Sequence, residues 1–154
     1  MNQLRMGVEA RSAYEAARSQ GLKLPAKPAD EMPDSLPKDL TELGDSELML
    51  WYSELIAWTN YLAVQYSFAQ TDERRIKRKL DFIETKALIT AKAASRTVTD
   101  ARLLVKDDPG IQAIHESAAT AEAYRKLMES LCANSERDAA LISRELTRRT
   151  SSSD

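Results

Sequence analysis

The sequence predicts an all-α protein: long amphipathic helices forming an elongated helical hairpin or bundle with coiled-coil-like seams, preceded by a short N-terminal helix and a proline-rich strap. Three observations carry this. After residue 45, apolar residues recur at spacings of three and four over most of the chain. Glycine is scarce, with four in 154 residues, whereas a β protein needs a turn about every 8–12 residues. Four prolines, Pro25, Pro28, Pro33 and Pro37, are gathered in one short stretch instead of being scattered through the periodic segments.

The first element spans residues 1–21. It is alanine-rich, with Leu4, Val8 and Ala16-Ala17 at rough helical spacing and Gly21 placed to end it. A helix this short and weakly apolar needs a partner surface to persist. Residues 22–44 follow as an acidic strap that the prolines hold extended.

Residues 45–149 form the helical body. Gly44-Asp45-Ser46-Glu47 supplies a cap and an acidic first turn. Leu48, Trp51, Leu55, Trp58 and Leu62 then alternate by three and four, with Ala69 a heptad beyond and Tyr52, Ile56, Tyr61 and Tyr66 on the flanks. This seam is more apolar than one neighbouring helix can cover, so these five residues are assigned to an interface between copies of the chain. A second segment, opening at Thr71 or Asp72 or running straight on, carries Ile76, Leu80, Ile83, Ala87, Thr90 and Ala94. Ser95 to Thr99, rich in hydroxyl side chains, reads as a break, with Thr99 capping a short turn to Lys106.

Asp108 and Pro109 then form an N-cap and first-turn pair. The last helix runs to about Arg148 with Ile111, Ile114, Ala118, Ala121, Tyr124, Met128 and Leu131 inward. It is interrupted around Asn134, Ser135 and Asp138 and resumes at Leu141, Ile142 and Leu146. Arg144, Arg148 and Arg149 suit the negative end of its dipole, and residues 150–154 read as a disordered tail.

Little in the chain speaks for catalysis. His115 has no visible partner for a triad or a metal, and Cys132 sits in Leu131-Cys132-Ala133 as a small buried side chain. Carboxylates pair with cations at helical spacing, as Glu122 does with Lys126. No phosphate-binding glycine loop, nucleophile elbow or zinc spacing occurs, so no enzyme activity, cofactor or metal is expected. A single cysteine and the absence of a signal-peptide core or membrane-spanning run point to a cytoplasmic protein with no membrane role.

Charge is the informative feature. The net value is only −2, yet residues 27–60 hold eight acidic side chains against Lys27 and Lys38. Residues 72–106 hold ten basic side chains against five acidic ones. At its centre, Arg74-Arg75-Ile76-Lys77-Arg78-Lys79 packs five cations into six residues, and Lys86, Lys92 and Arg96 continue the series. Cations at helical rise can track a phosphate backbone and release its counterions. The aromatics Tyr66, Phe68 and Phe82 are of a type that can stack on bases, and most of them are expected to serve the core.

The stretch from about 45 to 149 resembles the UvsY-like recombination mediators of bacteriophages. The likeness is carried by Leu50-Trp51-Tyr52-Ser53, by Arg74 to Lys79 with Lys86 and Lys92, and by Asp107-Asp108-Pro109. Leu127 to Cys132 and the ending Ser143 to Arg149 complete it, while residues 1–44 lie outside. The resemblance implies an oligomeric helical accessory factor that binds single-stranded DNA through its basic helix. Such a factor helps a RecA-class recombinase displace single-strand-binding protein, and in a phage it would act in the host cytoplasm. The acidic strap and N-terminal helix would then be surfaces for those two proteins. The rival reading is a helical virion or assembly component with protein contacts alone. It explains the seams and strap equally well and leaves the basic segment without a task. An all-α transcription regulator fits less well, because no short helix–turn–helix spacing appears.

Overall fold

The computed structural model describes residues 7–28, 31–33 and 35–152. Leu4, assigned to the first helix, lies outside them. The order is α1 (Val8–Ser19), a 3-10 turn (Leu40–Glu42), α2 (Asp45–Ala94), α3 (Val98–Lys106) and α4 (Pro109–Ser151). Among the described residues there is no strand.

Each boundary has a local cause. Helix α1 ends in a Schellman motif, in which Gly21 adopts φ 79° and donates to the Arg18 carbonyl at 3.0 Å. The N–H of Leu22 closes the motif on the Ala17 carbonyl, also at 3.0 Å. Gly44 caps α2: its N–H donates to the Glu47 carboxylate at 2.9 Å, and its carbonyl accepts from Leu48 at 3.0 Å. No glycine or proline interrupts the next fifty residues, and α2 passes through Thr71 and Asp72 without a break.

Thr97, two residues before the expected Thr99, caps α3; its hydroxyl accepts from the Asp100 N–H at 3.1 Å. Asp108 caps α4 as the sequence requires, accepting from Gly110 at 2.7 Å and Ile111 at 3.2 Å. Helix α4 continues to Ser151, past the predicted end at Arg148 and into the expected tail. Ser153 and Asp154 lie outside the described residues.

The chain divides into two compact units, one of residues 1–15 with 68–126 and the other of residues 16–67 with 127–154. In the second unit α2 and α4 run antiparallel. Its core is Leu48, Leu55, Ala139 and Ile142, with Trp51, Tyr52, Leu146 and the strap residues Leu36, Leu40 and Leu43 packed around them. Leu48 and Ile142 are wholly excluded from solvent at 0% exposure. Trp58 and Leu62 are also buried, and the Trp58 ring meets Tyr61 edge-on at 5.9 Å.

This packing revises the assignment of the Trp-rich seam. Leu48, Leu55, Trp58 and Leu62 are buried within the chain itself and Trp51 is half-buried, so the seam is already occupied. The exposed apolar residues of this part of α2 are Met49, Leu50 and Ile56, on the flanks. The presumed interruption of α4 at Ser135 is also a core position. Ser135 Oγ lies 2.7 Å from Thr59 Oγ1, and both hydroxyls donate to the Leu55 carbonyl, at 3.3 and 2.7 Å. By contrast Leu141, assigned inward, is exposed.

Arg149 closes this unit. Its guanidinium donates to the Leu43 and Leu40 carbonyls at 2.8 and 2.9 Å, and to the Thr41 carbonyl at 3.2 Å. It also reaches Asp45 at 2.7 Å and Glu145 at 2.8 Å. One side chain at the end of α4 thus satisfies three carbonyls in and beside the 3-10 turn and pairs with the Asp45 carboxylate that opens α2. Hydrogen bonds from Arg148 and Arg149 hold the Glu145 carboxyl at about 2.

Two outcomes follow from this packing. Ile142→Ala lowers stability by about 2–5 kcal/mol, whereas Leu50→Ala stays within about 0.5 kcal/mol of the parent in chemical denaturation. Glu145 is depressed on folding, so its contribution is complete above its ordinary value of 4.5 and fades as pH falls toward about 2. Thermal melts across that range show Glu145→Gln destabilised at neutral pH, with a shallower loss of stability on acidification than the parent.

Candidate nucleic-acid interface

The unit containing residues 68–126 carries all eight predicted binding cations. Its core fixes their direction. Ile76, Leu80, Ile83 and Ala87 of α2 pack with Ile111, Ile114 and Ala118 of α4 and with Val105 of α3. With that stripe turned inward, residues between its positions face away from α4.

Lys77 is the exception, and it is a structural cation. It donates to Glu73 at 2.7 Å and reaches Glu122 of α4 at 3.3 Å. Glu73 is 7% exposed and also receives Arg125 at 2.7 Å, while Glu122 takes Lys126 at 2.8 Å as its i,i+4 spacing predicts. The Lys77 hydrogen bond, with Arg125 adding its charge, holds the Glu73 carboxyl below the usual carboxylate range. Glu73 and Glu122 in turn push the Lys77 ammonium up. This network clamps α2 to α4, and Lys77 belongs to it.

Arg75 and Arg78 contact the start of α1. The Gly7 N–H donates to the Asp72 carboxylate at 3.1 Å, and Glu9 pairs with Arg78 at 2.9 Å. A Cβ at position 7 would lie 1.7 Å from Asp72 Oδ1 and 2.8 Å from its Cγ, so any larger residue there requires the Asp72 carboxylate to move away. Ala10 is buried alongside. Arg75 Nε sits 3.7 Å from Asp72 Oδ1, and both atoms are buried without a hydrogen bond.

The remaining five, Arg74, Lys79, Lys86 and Lys92 on α2 and Arg96 in the bend after it, are exposed and have no ion pair among the described residues. Lys79 and Lys86 are seven residues apart, and Arg74 and Lys92 eighteen, so each pair falls on one side of the helix. Between them stands one of the three aromatics that the sequence weighs toward the core. Phe82 is 69% exposed, and Ile89, seven residues further on, is 67% exposed. The signal was available, since Phe82 falls outside the 76, 80, 83, 87 stripe.

Other candidate groups do not join this surface. His115 is exposed and lies 2.7 Å from Glu84, at an open groove of about 730 Å³ that Leu88, Arg102, Val105 and Lys106 also line. Cys132 is buried in the other unit, where burial and the neighbouring Glu136 push its thiol up. No cluster of three or more His, Cys, Asp or Glu side chains that could hold a metal occurs among the described residues. No helix among them is long and apolar enough to cross a membrane. Comparison with known protein families, with curated proteins and with solved structures finds no match.

The seat of α1 is testable by a single methyl group. Gly7→Ala forces apart Gly7 and Asp72, so amides of residues 8–19 exchange faster with deuterated solvent. The melting temperature of the remaining helices stays within a degree or two of the parent.

Proposed function

We propose that this protein is a single-stranded DNA-binding recombination mediator. In this reading it helps load a RecA-class recombinase in place of single-strand-binding protein. The observation that supports this most directly is the set of five exposed cations, Arg74, Lys79, Lys86, Lys92 and Arg96, that no carboxylate of the described residues neutralises. Lys77, Arg75 and Arg78 have internal partners, so the binding set is narrower than the full basic run. Unneutralised cations along one helix exchange counterions for phosphates, which gives salt-sensitive binding without sequence preference. A homo-oligomer repeats the patch and converts modest contacts into avidity. The acidic strap is the surface offered to the protein partners.

A second reading, a helical assembly component with protein contacts alone, draws on the exposed Met49, Leu50, Leu127 and Leu141. It gives the five cations nothing to do.

Fluorescence anisotropy with a labelled single-stranded oligonucleotide separates the two. Binding weakens steeply with salt, and the triple variant Lys79→Glu, Lys86→Glu, Lys92→Glu binds at least about tenfold more weakly with a reduced salt slope. Its melting temperature matches the parent, because none of the three side chains has an ion pair among the described residues. A parent that fails to bind even at low salt assigns the basic face to protein contacts and favours the second reading.

A further inference from the structure

We propose that Phe82 is a stacking platform for one unpaired nucleobase, with Lys79 and Lys86 holding the flanking phosphates. This rests on the reading of the basic face as a single-strand site and names the residue within it that distinguishes single strand from duplex.

Phe82 is 69% exposed on an element whose other apolar side has a well-filled core. An aromatic ring left in water at that level gains from any flat partner that covers it. Its neighbours on the helix surface are Arg78 four residues before, Lys79 three before and Lys86 four after, all exposed. Lys79 and Lys86 are separated by roughly 10 Å of helix rise, with the ring between them. The combination of a stacking surface and cations along the backbone path is the pattern by which single strands are held without sequence readout.

The surroundings argue against other occupants. A membrane surface requires a continuous apolar band. Here Thr85 and Lys86 separate Phe82 from Ile89, the next large exposed apolar residue on this side among the described residues. A duplex offers phosphates to the lysines but keeps its base faces stacked inside, out of reach of the ring. A single strand offers both.

The test compares Phe82→Ala, Phe82→Trp and Lys86→Gln with the parent, using labelled single-stranded and duplex oligonucleotides over a salt series. Phe82→Ala weakens single-strand binding by roughly 5- to 150-fold, by the same factor at every salt concentration. Phe82→Trp restores it, and duplex binding is unchanged throughout. Lys86→Gln instead reduces the salt slope by about 0.7. Thermal melts of all three variants match the parent, since the altered side chains are exposed. If the parent binds single strands with a steep salt slope and Phe82→Ala binds equally well, the stacking role is wrong and the electrostatic reading stands. If the parent does not bind single strands, both fall.

Discussion

The constraint on which the rest of the structure depends is that α2 has one apolar stripe and α4 covers it. In one unit Leu48 and Leu55 meet Ala139 and Ile142; in the other Leu80 meets Ile111 and Ala118. Burying each leucine or isoleucine of this set contributes about 1.5–3 kcal/mol, more than an exposed ion pair typically supplies. The apolar pattern therefore decides which way every polar residue of α2 points. Arg74, Lys79, Lys86 and Lys92 face water because the neighbouring positions cannot.

Electrostatics refines this arrangement without creating it. Glu73 is nearly buried, and a carboxylate in that position is tolerated because Lys77 and Arg125 both donate to it. Glu122 extends the chain of charges to Lys126. The same residue types a few positions along the helix meet no partner among the described residues. Pairing thus separates structural cations from available ones within a run that looks uniform on the page. Arg149 makes the same distinction at the end of α4, where a residue expected to serve the helix dipole gathers carbonyls from Leu40, Thr41 and Leu43.

Periodicity made the helices legible. Local capping chemistry made most of their ends legible too: Gly21, Gly44 and Asp108 act where their types suggest. The Thr97 cap was misplaced by two residues because Thr97 and Thr99 offer the same hydroxyl, and only the path of the chain selects between them. The partner of the Trp-rich seam was not legible. A heptad pattern specifies that something apolar covers it and is silent on whether that is the same chain or another copy. Likewise the eight cations were visible, but which of them were neutralised depended on Glu9, Glu73 and Glu122, and two of these lie on other helices. Phe82 was visible as an aromatic able to stack, but it was weighed toward the core by type instead of by its place outside the stripe.

The half-buried Thr59 hydroxyl and the buried Ser135 hydroxyl meet between α2 and α4 and share one backbone carbonyl. Leucine or alanine at these positions would pack comfortably at several offsets of α4 along α2. A buried hydroxyl at 135 would not, since sliding by a single turn takes Ser135 away from the Thr59 hydroxyl and the Leu55 carbonyl and strands it at about 1–3 kcal/mol, while Thr59 keeps its bond within α2. The Ser135 hydroxyl therefore acts as an index mark on α4, read by the Thr59 hydroxyl and the Leu55 carbonyl of α2, and the correct alignment is the one that leaves it partnered. An apolar pair at 59 and 135 could match the native stability while losing the means to tell one alignment from the next.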